Sequence, residues 1–89
     1  MIAKEIRVVG KVQRVSFRVA TREKALLLAI SGWVRNNADG SVQIRIEGDE
    51  VMMASMIDWC RIGPTLARVD SIEEKPATVE GLRGFDIIC

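Results

Sequence analysis

Two runs, Trp33-Val34-Arg35-Asn36 and Ser41-Val42-Gln43-Ile44-Arg45-Ile46-Glu47, flank the tetrapeptide Asn37-Ala38-Asp39-Gly40. The longer run alternates apolar and polar residues with period two, which places every second side chain on one face of an extended strand. Asn, Asp and Gly tolerate the backbone of a tight turn. The stretch therefore reads as a hairpin whose inward face is Val42, Ile44 and Ile46. In a chain of 89 residues, such a central hairpin leaves few ways to arrange the rest.

Residues 5–12 alternate loosely and read as a first strand. From Arg18 to Ile30 the chain is rich in good helix formers, with Val19, Leu26, Ala29 and Ile30 expected on one face and Arg22, Glu23 and Lys24 on a wetter side. Ser31-Gly32 ends that helix. After the hairpin, Gly48-Asp49 offers a turn and a helix N-cap, and Glu50 through Arg61 reads as a second helix, stopped by Gly63-Pro64. In it, Met52, Met53 and Met56 are expected to fill core space, and Trp59, like Trp33, to pack. Residues 67–74 read as a strand, 76–84 as a polar connector and 85–88 as a short final strand. The order is βαββαβ with a trailing strand, which predicts an α+β ferredoxin-like split β-α-β fold, an antiparallel sheet with two helices on one face, in a single domain over 1–89.

Composition excludes several function classes. A net charge of +1 gives no case for a nucleic-acid or membrane partner, both of which normally require a concentrated basic excess. No apolar run approaches membrane-spanning length, and Met1-Ile2-Ala3-Lys4 does not open a signal peptide, so a cytoplasmic protein is expected. Cys60 and Cys89 lack C-x-x-C spacing and suggest no metal site; both are expected as free thiols, Cys60 in helix packing and Cys89 at the C-terminus. The chain has no histidine. That removes Ser-His-Asp and Cys-His catalysis, histidine general bases and most zinc sites.

The segment Gly10-Lys11-Val12-Gln13-Arg14-Val15-Ser16-Phe17-Arg18 joins the first strand to the first helix. Helix starts leave backbone N–H groups unpaired and carry partial positive charge, which makes them seats for phosphate or carboxylate. Arg18 adds a planar fork of donors able to grip two anionic oxygens. The segment predicts a pocket for a small anion, with a phosphoryl group the expected one.

Gly10-x-Val12-Gln13-x-Val15-x-Phe17-Arg18 resembles the phosphate-loop signature of acylphosphatases, Gly-x-Val-Gln-Gly-Val-x-Phe-Arg. Gly32-Trp33-Val34-Arg35-Asn36, with Asp39-Gly40 after it, is similar to the family's second signature, Gly-Trp-Val-x-Asn and its downstream Gly. Gly63-Pro64 followed by Ala67-x-Val69 resembles the family's segment after the second helix. The resemblance covers nearly the whole chain in the right order. It implies hydrolysis of acyl phosphates to a carboxylate and orthophosphate. Arg18 would bind the phosphoryl oxygens, the backbone amides of Val12, Gln13, Arg14, Val15, Ser16 and Phe17 would line the cradle, and Asn36 would hold the attacking water. No metal and no cofactor are implied; the partner is a small-molecule acyl phosphate, and a monomer is expected.

Elementary chemistry is compatible with that expectation. Phosphoryl transfer spreads charge over equatorial oxygens, so catalysis is largely positioning and electrostatic stabilisation. A carboxylate leaves without much help from a general acid, and the phosphate itself can accept a proton. An amide side chain orients water without titrating, and an arginine keeps its charge throughout the physiological range.

One departure from the signature stands out. Arg14 occupies the place of its central glycine, a residue that permits positive φ or close backbone approach. Weakened catalysis relative to a glycine-bearing loop is expected, and a phosphate-binding domain without catalysis is the alternative; the other reading of Arg14 is added charge near the substrate. Plainer roles are expected elsewhere: Lys11 and Arg35 as solvated strand charges, Thr21 as a first-turn helix residue, Asn37 and Asp39-Gly40 as turn chemistry. An RNA-binding module on the same plan would stack bases on strand aromatics, and Ile6 to Val12 and Val42 to Glu47 contain none.

Overall fold

A computed structural model describes residues 1–88; Cys89, expected as a C-terminal free thiol, lies outside them. The chain runs β1 (Ile2–Lys11), α1 (Phe17–Leu27), β2 (Ser31–Asn36), β3 (Val42–Gly48), α2 (Glu50–Cys60), β4 (Arg68–Ala77) and β5 (Phe85–Ile88). One sheet runs in the order β4-β1-β3-β2-β5. The first four strands pair antiparallel, but β5 lies parallel to β2. The expected antiparallel sheet is thus mixed. Residues 78–84 cross the width of the sheet, leaving β4 at one edge and reaching β5 at the other.

That crossing accounts for a pair of buried charges on β3. Arg45 is 7 % and Glu47 1 % exposed, although the alternation places both on the face away from the helices. Glu47 accepts backbone N–H bonds from Glu80 (2.8 Å), Gly81 (3.1 Å) and Leu82 (3.1 Å), and Arg45 donates to the carbonyl of Thr78 and to Glu47. Burial alone would raise the Glu47 carboxyl; those amides and the guanidinium outweigh it and hold it below its ordinary range. Carboxylate and connector hold each other.

The core lies between the helices and the other sheet face, where Ile6, Val8, Val34, Val42, Ile44 and Ile46 meet Phe17, Ala25, Met53, Met56, Ile57 and Cys60. The hairpin's inward face is as expected; the first helix's is not. Val19 and Leu26 are 51 % and 49 % exposed, and the buried residues of α1 are Phe17, Thr21 and Ala25. Four-residue spacing from Phe17 sets the stripe, and the larger aliphatics fall outside it. The helix also stops short of Ile30. Ala29, with φ +54, donates to the Leu26 carbonyl and Ile30 to that of Ala25, a Schellman ending with alanine at the left-handed position. Ala29 and Ile30 lie beyond the helix, and Ile30 still reaches the core.

In α2, Asp49 caps the start by accepting from Val51 N at 2.9 Å, and Glu50 follows in the first turn. Met53 and Met56 fill the core as expected, but Met52 is 40 % exposed. The stripe Met53, Met56, Ile57, Cys60 follows three- and four-residue steps, and position 52 falls to its side. Trp33 and Trp59 are half-buried, and Trp59 packs 5.6 Å from the Phe17 ring. No described helix is long and apolar enough to cross a membrane.

Candidate active site

The loop between β1 and α1 begins at a bulge. The β1–β4 register shifts between Val9 and Gly10, and Gly10 has φ +142. A Cβ there would fall 2.1 Å from the Arg68 carbonyl oxygen, so only glycine lets the strands approach. Val12 and Val15 then insert into the core and anchor the loop from beneath. Arg14 and Ser16 both sit at φ 62, with Val15 between them outside that region. Alternation of this kind turns successive N–H groups toward one side and makes an anion-binding concavity. Arg14, in the place of the signature glycine, thus adopts the glycine-like backbone, at about 1–2 kcal/mol for an L-residue.

The two helix starts differ. The Ser16 side chain makes no capping bond to α1, whose first turn holds no acidic residue, whereas α2 has both Asp49 and Glu50. The amides and partial positive charge at the start of α1 are left open. Phe17, buried, fixes that start in the core. Gly63, with φ +71, lies against its ring, where a Cβ would be 2.6 Å from the Phe17 ring carbon Cε2. Arg18 follows, half-buried in the first turn, and no described carboxylate pairs with it.

Asn36 is the last residue of β2, opposite Val42 and on the same sheet face as Val34. Its Oδ1 is buried with no hydrogen-bond partner among the described residues. An unmatched buried carbonyl costs about 1–3 kcal/mol, and such atoms call for a reason. Asn36 lines a cleft of about 90 Å3. Val12, Arg14, Ser16, Phe17, Arg18 and Val19 form its other walls. The charged residues lining it are Arg14 and Arg18, with no acid among them.

Of the expected site residues, Gln13 and Val15 do not line the cleft. The side chain of Gln13 instead donates from Nε2 to the carbonyls of Asn37 (2.8 Å) and Ser41 (3.0 Å), fastening the loop to the hairpin turn. On the other side of that turn, Asp39 accepts from Ser41 N (2.9 Å), Ser41 Oγ (2.6 Å) and Arg7 Nη2 (2.5 Å), and Arg7 also meets Glu73 at 2.7 Å. Ser41 and Arg7 together hold the Asp39 carboxyl well below its ordinary range. Neither tie, nor the cleft position of Val19, has a local pattern in the sequence to betray it. Thr21 is buried, its hydroxyl donating to the Phe17 carbonyl at 2.7 Å. Asn37 bonds within the turn, Lys11 is exposed, and Arg35 lies 5.1 Å over the Trp33 ring.

The family model described as acylphosphatase matches residues 4–87. The chain belongs to the acylphosphatase family. An acylphosphatase of a Nocardioides species is 41% identical over 85 residues, 96% of this chain and 86% of that protein. One from Thermococcus kodakarensis is 43% identical over 83 residues, covering 93% and 91%. The crystal structure of acylphosphatase from Bacillus subtilis superposes with a TM-score of 0.97 at 32% identity, over 100% of both chains. The acylphosphatase fold is thus shared throughout, β5 included.

Proposed function

We propose that this chain hydrolyses acyl phosphates to a carboxylate and orthophosphate, in the cytoplasm, as a monomer, without a metal or other cofactor. The loop amides and the open start of α1 receive the phosphoryl oxygens, and Arg18 grips two of them with its planar fork. Asn36 orients a water: its Oδ1 accepts a hydrogen from the nucleophile and fixes the approach to phosphorus. Water oxygen bonds to phosphorus, the bond from phosphorus to the acyl oxygen breaks, and the carboxylate leaves with that electron pair. The proton released by water passes to the phosphate. Each step asks for positioning and charge neutralisation, which the cleft supplies.

The observation that carries this reading is Asn36, whose buried Oδ1 has no partner among the described residues, lining the same small cleft as Arg18 at the uncapped helix start. Its test is the hydrolysis of benzoyl phosphate in the presence of EDTA. Arg18→Ala and Asn36→Ala are each expected to lower kcat by a factor on the order of 100 or more, the scale on which removing one transition-state donor acts. Activity that survives both substitutions refutes the assignment.

A further inference from the structure

Arg14 is unfavourable where it stands on three counts. Its backbone is left-handed. It lines the same cleft as a second arginine, Arg18. It also lies beside the positive end of α1, where cations are disfavoured. Among the described residues nothing compensates. Arg14 is exposed, takes no part in the core, and forms no ion pair with any described carboxylate. Strain held at a ligand site without structural return directs attention to the ligand.

A phosphoryl group seated against Arg18 and the loop amides already has its oxygens matched. Both arginines line the cleft, Arg18 half-buried and Arg14 exposed. With the phosphoryl group matched, the acyl portion of the substrate is what remains for Arg14 to meet. We propose that Arg14 selects acyl phosphates whose acyl portion carries a second anionic group, a carboxylate above all, such as the monoacyl phosphates of dicarboxylic acids. This rests on the proposed acyl phosphate hydrolysis. Its chemical content is separate: a second guanidinium pairs with a second anion, and no bond is made or broken by it.

The experiment compares succinyl phosphate with butyryl phosphate, which differ in that terminal carboxylate, in the parent chain and in Arg14→Gln and Arg14→Lys. Glutamine keeps an L-residue at the strained position and removes the charge; lysine keeps the charge. Binding is read by calorimetry with the corresponding succinyl and butyryl phosphonates, which cannot be hydrolysed. The succinyl-to-butyryl ratio, in affinity and in kcat/KM, is expected to fall roughly three- to fivefold in Arg14→Gln, the scale of an exposed ion pair. It is expected to be retained in Arg14→Lys and to shrink in about 0.5 M potassium chloride, where exposed charges are screened. A ratio equal in parent and Arg14→Gln overturns the proposal, as does an equal loss for both ligands, which would assign Arg14 to the phosphoryl group. If both phosphonates bind and neither phosphate is hydrolysed, the proposed activity fails while the affinity ratio still decides the role of Arg14. If neither phosphonate binds, the cleft is not the anion site and the proposal falls.

Discussion

The side-chain amide of Gln13 donates to the backbone carbonyl of Asn37 across 2.8 Å, which ties the cradle loop to the residue directly after Asn36. Two walls of the cleft, the β1–α1 loop and the strand end that carries Asn36, are thereby held in register by one side chain from the first loop. Gln13→Met keeps the volume and removes the donor, and is expected to cost about 1–2 kcal/mol of stability. Turnover suffers more: kcat is expected to fall roughly tenfold or more from misplacement of the reacting groups, while orthophosphate inhibits about as well as before. In an Asn36→Ala background the same change should add almost nothing, because the group being positioned is gone. Additive losses would show that Gln13 acts independently of Asn36.

The strain at Arg14 predicts a gain. Arg14→Gly restores the residue suited to φ 62 and is expected to raise stability by about 1 kcal/mol, the relief of left-handed strain less the added freedom of the unfolded chain. Turnover of benzoyl phosphate should rise with it, since the amides of the cradle no longer compete with the side chain's preferred backbone. An unchanged or lower rate would show that the loop absorbs Arg14 without misaiming an amide.

Ala29 makes a separate test away from the site. It occupies the left-handed position of the Schellman ending of α1 at φ +54, where glycine is the favoured residue. Ala29→Gly is expected to stabilise the fold by about 1 kcal/mol and raise Tm by roughly 4–8 °C, with activity unaffected. A fall in Tm would mean that the methyl group of Ala29 matters more than its backbone.

Asp39 gives the turn a pH dependence. Hydrogen bonds from Ser41, then Arg7, hold its carboxyl below the ordinary range, so the unfolded chain takes up this proton before the folded one. The stabilisation is complete above the ordinary carboxylate value of about 3.9 and is lost as pH falls through the depressed folded value. Asp39→Asn should therefore lower Tm at neutral pH, with the difference narrowing below about pH 4. A difference that stays constant down to pH 3 would remove the carboxylate's charge from the account.

Burial pushes the Cys60 thiol up to about 12, and the side chain is fully enclosed. The thiolate is the reactive form, so Cys60 is expected to resist iodoacetamide at pH 8 until the chain unfolds, as peptide mass spectrometry would read. Because the unfolded thiol ionises first, this group withdraws stability as pH rises from 9.0 toward 12. Rapid alkylation of the folded protein would show that α2 opens locally.

The amino-acid sequence by itself determined the order of elements, the hairpin's inward face and the loop that forms the candidate site. Those are local matters: period-two alternation, turn residues, helix breakers and a short signature act over a few neighbouring residues, and Val42, Ile44, Ile46, Arg18 and Asn36 stand where such patterns put them. Tertiary structure alone decided which stripe of α1 turns inward, because Phe17 locked against Gly63 and Trp59 outranks the larger aliphatics Val19 and Leu26. It also decided the burial of Arg45 and Glu47, which alternation assigns to solvent and the crossing of residues 78–84 encloses. The tie from Gln13 to Asn37 and Ser41 belongs to the same class. It joins positions 24 and 28 residues apart, and no local pattern encodes a contact made only when distant segments meet.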